Sequence, residues 1–463
     1  MDKHALQIAF DARRETILSD WIRLLTFPSV SVDPAHAGDC RACAEWLRNR
    51  FVNLGFTAEL LETARAHPVV FAERRGAPGA PTLLLYGHYD VQPADPLDQW
   101  LSPPFAPQWR GNRLYARGAN DDKGQLSGVI TAIQTLIQSN ALRATIKIVI
   151  EGNEECSDTH VITMLAQHRE RLRADILLVC DTNRSENGAP AITMGLRGLI
   201  HLTAVLRGPS HDLHSGVHGG RVPNPATGLA QMVASLHAPD GRIAVTGFYD
   251  GVQPPDDTER ALANATANDP AAFERENGVP PVGGERAFTP NERTAFRPAI
   301  DVNGFHSGYG GAGSKTIIPS EATVKLSARL VPGQDPARML EAIIKHLQAH
   351  IPDGLKMEIT ERVIGGPAIK LDLHSSLVKQ ACAALSAMGE ATPVFIWEGA
   401  SIPILSKLPA LACAEPLLVG FGVDADRIHA PNESYSLDQF LENYLFAGLF
   451  IGALGGCSQD ASV

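Results

Sequence analysis

The sequence contains no run of ~18 uninterrupted apolar residues, the length that a membrane-spanning helix requires. Its most apolar stretch near the end, Phe446 to Gly456, is too short. The opening Met1-Asp2-Lys3-His4 is charged and leads into a mixed helical pattern, without the apolar core of a signal peptide. Positive charge is also in short supply: 40 Lys and Arg stand against 51 Asp and Glu, a net charge of −11. That balance argues against a nucleic-acid or anionic-membrane partner, both of which call for a basic surface. Cysteine is scarce and odd in number, seven in all, and scattered without a framework. Such usage points to a reducing cytoplasm. Cys40-x-x-Cys43 stands alone on a predicted helix, with no second pair to complete a zinc site. Neither internal repeats nor low-complexity tracts are present, and the composition is that of an ordinary soluble globular protein.

What is present is a chain of 463 residues, longer than one hydrophobic core usually organises, so two domains are expected. The first two hundred residues alternate helix and strand. Leu6 to Leu25 and Cys40 to Leu54 have the 3.6-residue apolar spacing of helices. Lys123-Gly124 opens a further helix to about Ile137, with Asp121 or Asp122 suited to cap it. Strands alternating with such helices predict a parallel or mixed sheet flanked by helices. The middle follows another rhythm: strand Leu199–Leu206, helix Pro225–Leu236, strands Ala299–Phe305 and Glu321–Val331, helix Pro336–Ala349, strand Leu355–Val363. The order β-α-β-β-α-β is that of a ferredoxin-like unit, with a polar insertion from about Pro239 to Pro298. From His374 the first pattern resumes. The expected architecture is α/β: a discontinuous catalytic domain with a mixed, mainly parallel sheet (residues 1–197 and 371–463), interrupted by an inserted α+β domain (198–370).

Four polar clusters follow apolar runs that read as strands. Thr82–Tyr86 leads to Gly87-His88-Tyr89-Asp90, Thr145–Ile150 to Glu151-Gly152-Asn153-Glu154-Glu155, Ile176–Cys180 to Asp181, and Leu417–Val419 to a loop carrying His429. Open α/β sheets bind ligands beyond the carboxyl ends of their strands. His88, Asp121, Glu155, Asp181 and His429 make a borderline-to-hard ligand set suited to Zn²⁺, Mn²⁺ or Co²⁺. Five ligands exceed the three of a typical open catalytic zinc. They suit two ions ~3.5–4 Å apart, bridged by a carboxylate and a water. Asp121, in a tight turn before a helix, is the natural bridge. Asp90 can take the other ring N–H of His88. Glu154 and Glu155 divide into proton acceptor and ligand. Taken singly, a Glu-Glu pair is a solvated turn and Asp121-Asp122 a helix cap; their joint placement after strands carries the argument.

Gly87-His88-Tyr89-Asp90-Val91-Gln92-Pro93, Arg117-Gly118-Ala119-Asn120-Asp121-Asp122-Lys123-Gly124 and Glu151-Gly152-Asn153-Glu154-Glu155, in that order, resemble the signatures of the M20 family of dinuclear metallopeptidases. The resemblance covers nearly the whole chain. It implies that His88 and Asp181 hold one ion each with Asp121 bridging, that Glu155 and His429 complete the two sets, and that Glu154 is the general base. It also implies a cis peptide after Asp121. Asp212–Gly220, Lys325–Pro332 and Trp397–Pro403 are similar to the carnosine-type dipeptidases of that family. By that likeness the inserted domain is a lid and dimerisation domain, and His214 meets the tetrahedral oxyanion, in dimers that of the partner subunit. Arg329 and the loop of Gly399, Ala400 and Ser401 hold the substrate's terminal carboxylate. Asn153 stands where the family often has another acid, and Cys156-Ser157-Asp158 replaces a more usual small-residue turn. The expectation is a cytoplasmic, homodimeric metallohydrolase with two divalent ions, cleaving an amide bond in a small peptide or an N-acyl amino acid. A binding protein that keeps the fold without turnover is the contrasting reading, and the intact Glu154 speaks against it.

Overall fold

A computed structural model describes residues 1–156, 159–185, 187–266, 269–389, 391–399 and 402–455. Ala400 and Ser401, expected in the carboxylate loop, lie outside the described residues. The chain divides into two compact units. The first comprises Met1–Met194, Leu371–Ile396 and Lys407–Val463; the second comprises Gly195–Lys370 and Trp397–Ser406.

In the first unit, six strands among the described residues form one sheet. Their spatial order is Thr57–Thr63, Ala66–Arg74, Thr145–Glu151, Thr82–His88, Ile176–Val179, Glu415–Leu418. The first two pairings are antiparallel and the remaining three parallel. The parallel strands are buried along most of their length and rich in Leu, Ile and Val, as a sheet covered on both faces demands. Register aligns their carboxyl ends, since His88 pairs with Glu151 and Val179 with both Tyr86 and Leu418. Helix Lys123–Gln138 is buried over nearly its whole circumference. It packs against Leu437–Ala453, and Gly128 makes the approach possible: a Cβ there would lie 2.8 Å from Asn443. The predicted helix Leu6–Leu25 is in fact two, Lys3–Asp11 and Arg14–Leu25. Apolar spacing survives this break, so periodicity alone does not reveal it.

In the second unit the order of strands is Ala299–Ser307, Glu321–Leu330, Gly198–Arg207, Lys356–Gly366, all antiparallel. With helices Pro225–Ala234 and Pro336–Ala349 in the connections, this is the ferredoxin-like arrangement. Alternate residues of Glu321–Leu330 are buried, and Ala322, Val324, Leu326, Ala328 and Leu330 share a core with Leu202, Leu206, Leu229, Met232, Ile343 and Leu347. The polar insertion carries helices Asp257–Ala265, Pro270–Asn277 and Pro290–Phe296.

Trp397–Ser406 corrects the expected boundary, since it clusters with the second unit and not with the closing part of the first. Side chains explain why. The Trp397 ring meets Phe296 edge-on at 5.1 Å, and Arg197 Nε donates to Gly399 O at 3.1 Å.

Candidate metal centre and catalytic site

Beyond the parallel strands the structure brings His88, Asp121 and Asp181 together, each offering a ligand atom within 4.8 Å of the others. Asp121, Glu155 and His429 form a second such group. Asp121 belongs to both. Its Oδ1 faces His88 Nε2 at 3.1 Å, and its Oδ2 faces His429 Nε2 at 2.9 Å. Asp181 Oδ2 lies 3.6 Å from His88 Nε2, and Glu155 Oε2 lies 3.3 Å from His429 Nε2. His88 is fully buried, yet its Nε2 makes no hydrogen bond. An orphaned imidazole nitrogen facing two carboxylates is arranged as a ligand atom, and the residues fit divalent ions.

Local backbone places each group. The strand Thr82–His88 ends on His88, and the peptide between Asp121 and Asp122 is cis. His429 has a left-handed backbone, φ 60°, between Arg427 at 55° and Asn432 at 64°. Asp122 heads the helix at Lys123 but makes no side-chain cap; its Oδ2 instead accepts from His88 N at 3.3 Å. Asp90 also acts differently from expectation. The nearer acceptor for His88 Nδ1 is the Asp90 carbonyl oxygen at 3.1 Å, with the carboxylate Oδ1 at 3.5 Å. That carboxylate takes the N–H groups of Glu154 at 3.3 Å and Glu155 at 3.1 Å, and so orients the Glu-Glu pair.

The electrostatics are those of anions crowded away from water. Burial, reinforced by the neighbouring carboxylates, pushes Glu154 well above the usual carboxylate range, against the pull of His88. Burial raises Asp181 to about 6 although His88 opposes it, and burial with the Asp121 charge raises Glu155. For Asp121 burial pulls the same way but loses to the hydrogen bond with His429 and the close approach of the His88 ring, which hold it below the usual range. His429 is raised to about 10 by its bonds to Asp121 and Glu155. A pocket that packs four carboxyl groups around two imidazoles is one that divalent cations neutralise.

Two contributors escaped the sequence reading. Glu433 is fully buried and accepts from Arg117 Nη1 at 2.8 Å and from the N–H groups of Gly118, Asn120 and Asp121 at 2.8, 3.0 and 3.2 Å. It therefore clamps the turn that aims Asp121, from a segment that also carries His429. Gln92 Nε2 donates to Glu155 Oε2 at 2.8 Å. Gln92 had a signal in retrospect, since it lies inside the motif Gly87–Pro93 already singled out for its ligand.

His214, Arg329 and Gly399 belong to the second unit. His214 is exposed and caps a short helical turn, its Nδ1 accepting from Gly216 N at 3.0 Å. The neutral ring then carries its proton on Nε2. Arg329 is partly buried on the strand Glu321–Leu330.

Similar proteins bear on this geometry. The family model described as Peptidase family M20/M25/M40 matches residues 84–450. A Cys-Gly metallodipeptidase of Schizosaccharomyces pombe is 27% identical over 482 residues, covering 99% of each chain. A beta-Ala-His dipeptidase of Mus musculus is 26% identical over 395 residues, 83% of this chain and 79% of that protein. Among solved structures, an M20 family metallo-carboxypeptidase from Sulfolobus solfataricus superposes with a TM-score of 0.82 at 30% identity, covering 94% of this chain and 98% of that one.

Proposed function

The chain belongs to peptidase family M20/M25/M40, and from that premise we propose a dinuclear metal-dependent dipeptidase in which Glu154 moves the proton. The observation that carries this reading is the pair of ligand groups sharing Asp121, with Glu154 next to Glu155 in the chain and in the field of His88, Asp181 and Asp121. His88 and Asp181 would hold one ion, Glu155 and His429 the other, and Asp121 both. Zn²⁺ fits this ligand set, as do Mn²⁺ and Co²⁺. When bound, the ions supply Lewis acidity for the scissile carbonyl and make water acidic enough to react near neutral pH.

The chain's own groups do the rest. Glu154, whose hold on a proton is strengthened by burial, takes one from the attacking water and delivers it to the leaving amine. Asp90 fixes the main chain from which Glu154 and Glu155 project. His214 donates from Nε2 to the developing oxyanion. Arg329, with Gly399, Ala400 and Ser401, binds the terminal carboxylate, for which a guanidinium fork is the matching shape. The named activities of the relatives favour small dipeptides over N-acyl amino acids. A homodimer through the second unit accompanies this reading, with His214 serving the partner's site. The described cysteines are all free, which supports a cytoplasmic setting, and no helix among the described residues is long and apolar enough to cross a membrane.

Glu154→Gln is the decisive variant. Metal content should match the wild type while turnover of dipeptides falls about 10²–10⁴-fold. Wild-type turnover in that variant would remove Glu154 as the base.

A further inference from the structure

The two imidazoles of the site are oriented in different ways. His88 is fully buried, and its Nδ1 lies 3.1 Å from the Asp90 carbonyl oxygen, so a hydrogen bond sets the plane of the ring. His429 is half exposed, and its Nδ1 has no hydrogen-bond partner among the described residues. A ligating histidine normally donates its second ring nitrogen to an acceptor that fixes the ring. Without one, the backbone that carries His429 must set its direction.

That backbone is unusual. Arg427, His429 and Asn432 all have left-handed φ angles although none is glycine. Such conformations persist only where the surroundings determine them. Asparagine tolerates this region better than most side chains. Tolerance is not its whole use here, because both ends of the Asn432 amide are engaged. Its Oδ1 accepts from Leu101 N at 2.9 Å, and its Nδ2 donates to Gln99 O at 2.8 Å. The amide therefore ties the His429 loop to the segment Gln99–Leu101 on both sides of Trp100.

That segment is itself held. Trp100 Nε1 donates to Ala94 O at 2.7 Å, and the Arg117 guanidinium lies 5.5 Å from the centre of the Trp100 ring. Arg117 in turn donates to Glu433, the residue after Asn432, at 2.8 Å. A circuit closes from Asn432 through Trp100 and Arg117 to Glu433 and back along the chain. The far end of the loop is anchored too, since Asp426 Oδ2 accepts from Asn120 Nδ2 at 3.0 Å and from Gln439 Nε2 at 2.8 Å. Within this brace Glu433 serves the turn of Asp121, and Asn432 serves the loop of His429.

We infer that Asn432 is a positioning residue. By locking its loop to Gln99 and Leu101 it aims His429 at Asp121 and Glu155, and so governs the retention of one of the two ions. This rests on the dinuclear reading above, in which His429, Glu155 and Asp121 hold that ion.

Equilibrium dialysis against graded free Mn²⁺, with bound metal counted per chain, tests it on the wild type, Asn432→Gly and Asn432→Asp. Glycine accepts the left-handed backbone but makes neither bond. Aspartate keeps the acceptor and loses the donor. In Asn432→Gly one equivalent should bind as in the wild type, while the other should need about 10–100-fold more Mn²⁺. Asn432→Asp should fall between, and it carries the test if the glycine variant does not fold. Two equivalents bound with wild-type affinity, even at a lower melting temperature, would make Asn432 a prop for the loop alone and overturn the inference. Equal weakening of both equivalents would also overturn it, because the effect would then run through Asp121 or the fold at large. Failure of the underlying reading looks different: a wild type that binds fewer than two ions has no second equivalent for Asn432 to govern.

Discussion

Replacing Glu433 by glutamine would keep its shape while taking one charge from a buried ion pair. Arg117 and Glu433 are both almost wholly buried, and each Glu433 oxygen accepts from two donors. An amide in either orientation puts its own N–H₂ against N–H groups and leaves the Arg117 charge uncompensated. Breaking a buried pair in this way costs about 3–5 kcal/mol. Groups that orient ligands typically govern metal affinity by about 10–100-fold. Glu433→Gln should therefore lower the denaturation midpoint and lose metal on dialysis against limiting Mn²⁺. A variant with wild-type stability and metal retention would show that the turn holds Asp121 without its clamp. This residue also marks the limit of sequence reading. The candidate ligands could be named from the sequence because imidazoles and carboxylates placed after strands have few other uses. Glu433 could not, because it acts on backbone N–H groups, which leave no mark on the residue types around it. Asp90 was legible as a site residue but not in its role, since a carboxylate two positions from His88 can reach the ring or the next loop, and only the fold decides.

At the scale of elements, strands and helices of the second unit were legible to within a few residues, because one-sided burial imposes strict alternation on Glu321–Leu330. Packing between segments distant in sequence was not, and Trp397–Ser406 joined the second unit through contacts that no local pattern records. Helix Pro336–Ala349 illustrates what such packing does to a titrating group. His346 in its last turn would gain from a positive charge near the helix C-terminus. Burial and the neighbouring His350, stacked at 4.2 Å, oppose that charge and depress its pKa below the ordinary histidine value. Ser235 completes its surroundings, at 2.9 Å from Nε2. A depressed folded-state pKa means that the unfolded chain takes up the proton first as pH falls. The stability that neutral His346 provides is present above about 6.5 and is lost as pH drops through the lower, folded value. The melting temperature of wild type minus that of His346→Gln should shrink between pH 7.5 and pH 5. A difference that stays constant or grows over that interval would mean His346 is not held neutral.

At the scale of the whole molecule, the proposed dinuclear site predicts that stability is coupled to cations through the same crowding that shapes the site. Burial and mutual repulsion raise Glu154, Glu155 and Asp181 within one pocket, so the metal-free fold carries an electrostatic cost that its sheet and helices must offset. The candidate ligands come from chain segments as far apart as His88 and His429, and an unfolded chain cannot assemble them. Ions that bind the folded state alone stabilise it by mass action, about 2.7 kcal/mol at a free concentration one hundred times Kd. The four-stranded unit has a hydrophobic core of its own and none of these ligands. Thermal unfolding with excess Mn²⁺ or Zn²⁺, compared with the same protein in excess chelator, should therefore show a shift of several degrees. Any separately resolved transition of the four-stranded unit should stay in place. A melting curve indifferent to chelation would mean that the carboxylates tolerate one another without cations. The dinuclear reading, and every role assigned to Asp121 as the shared ligand, would fall with it.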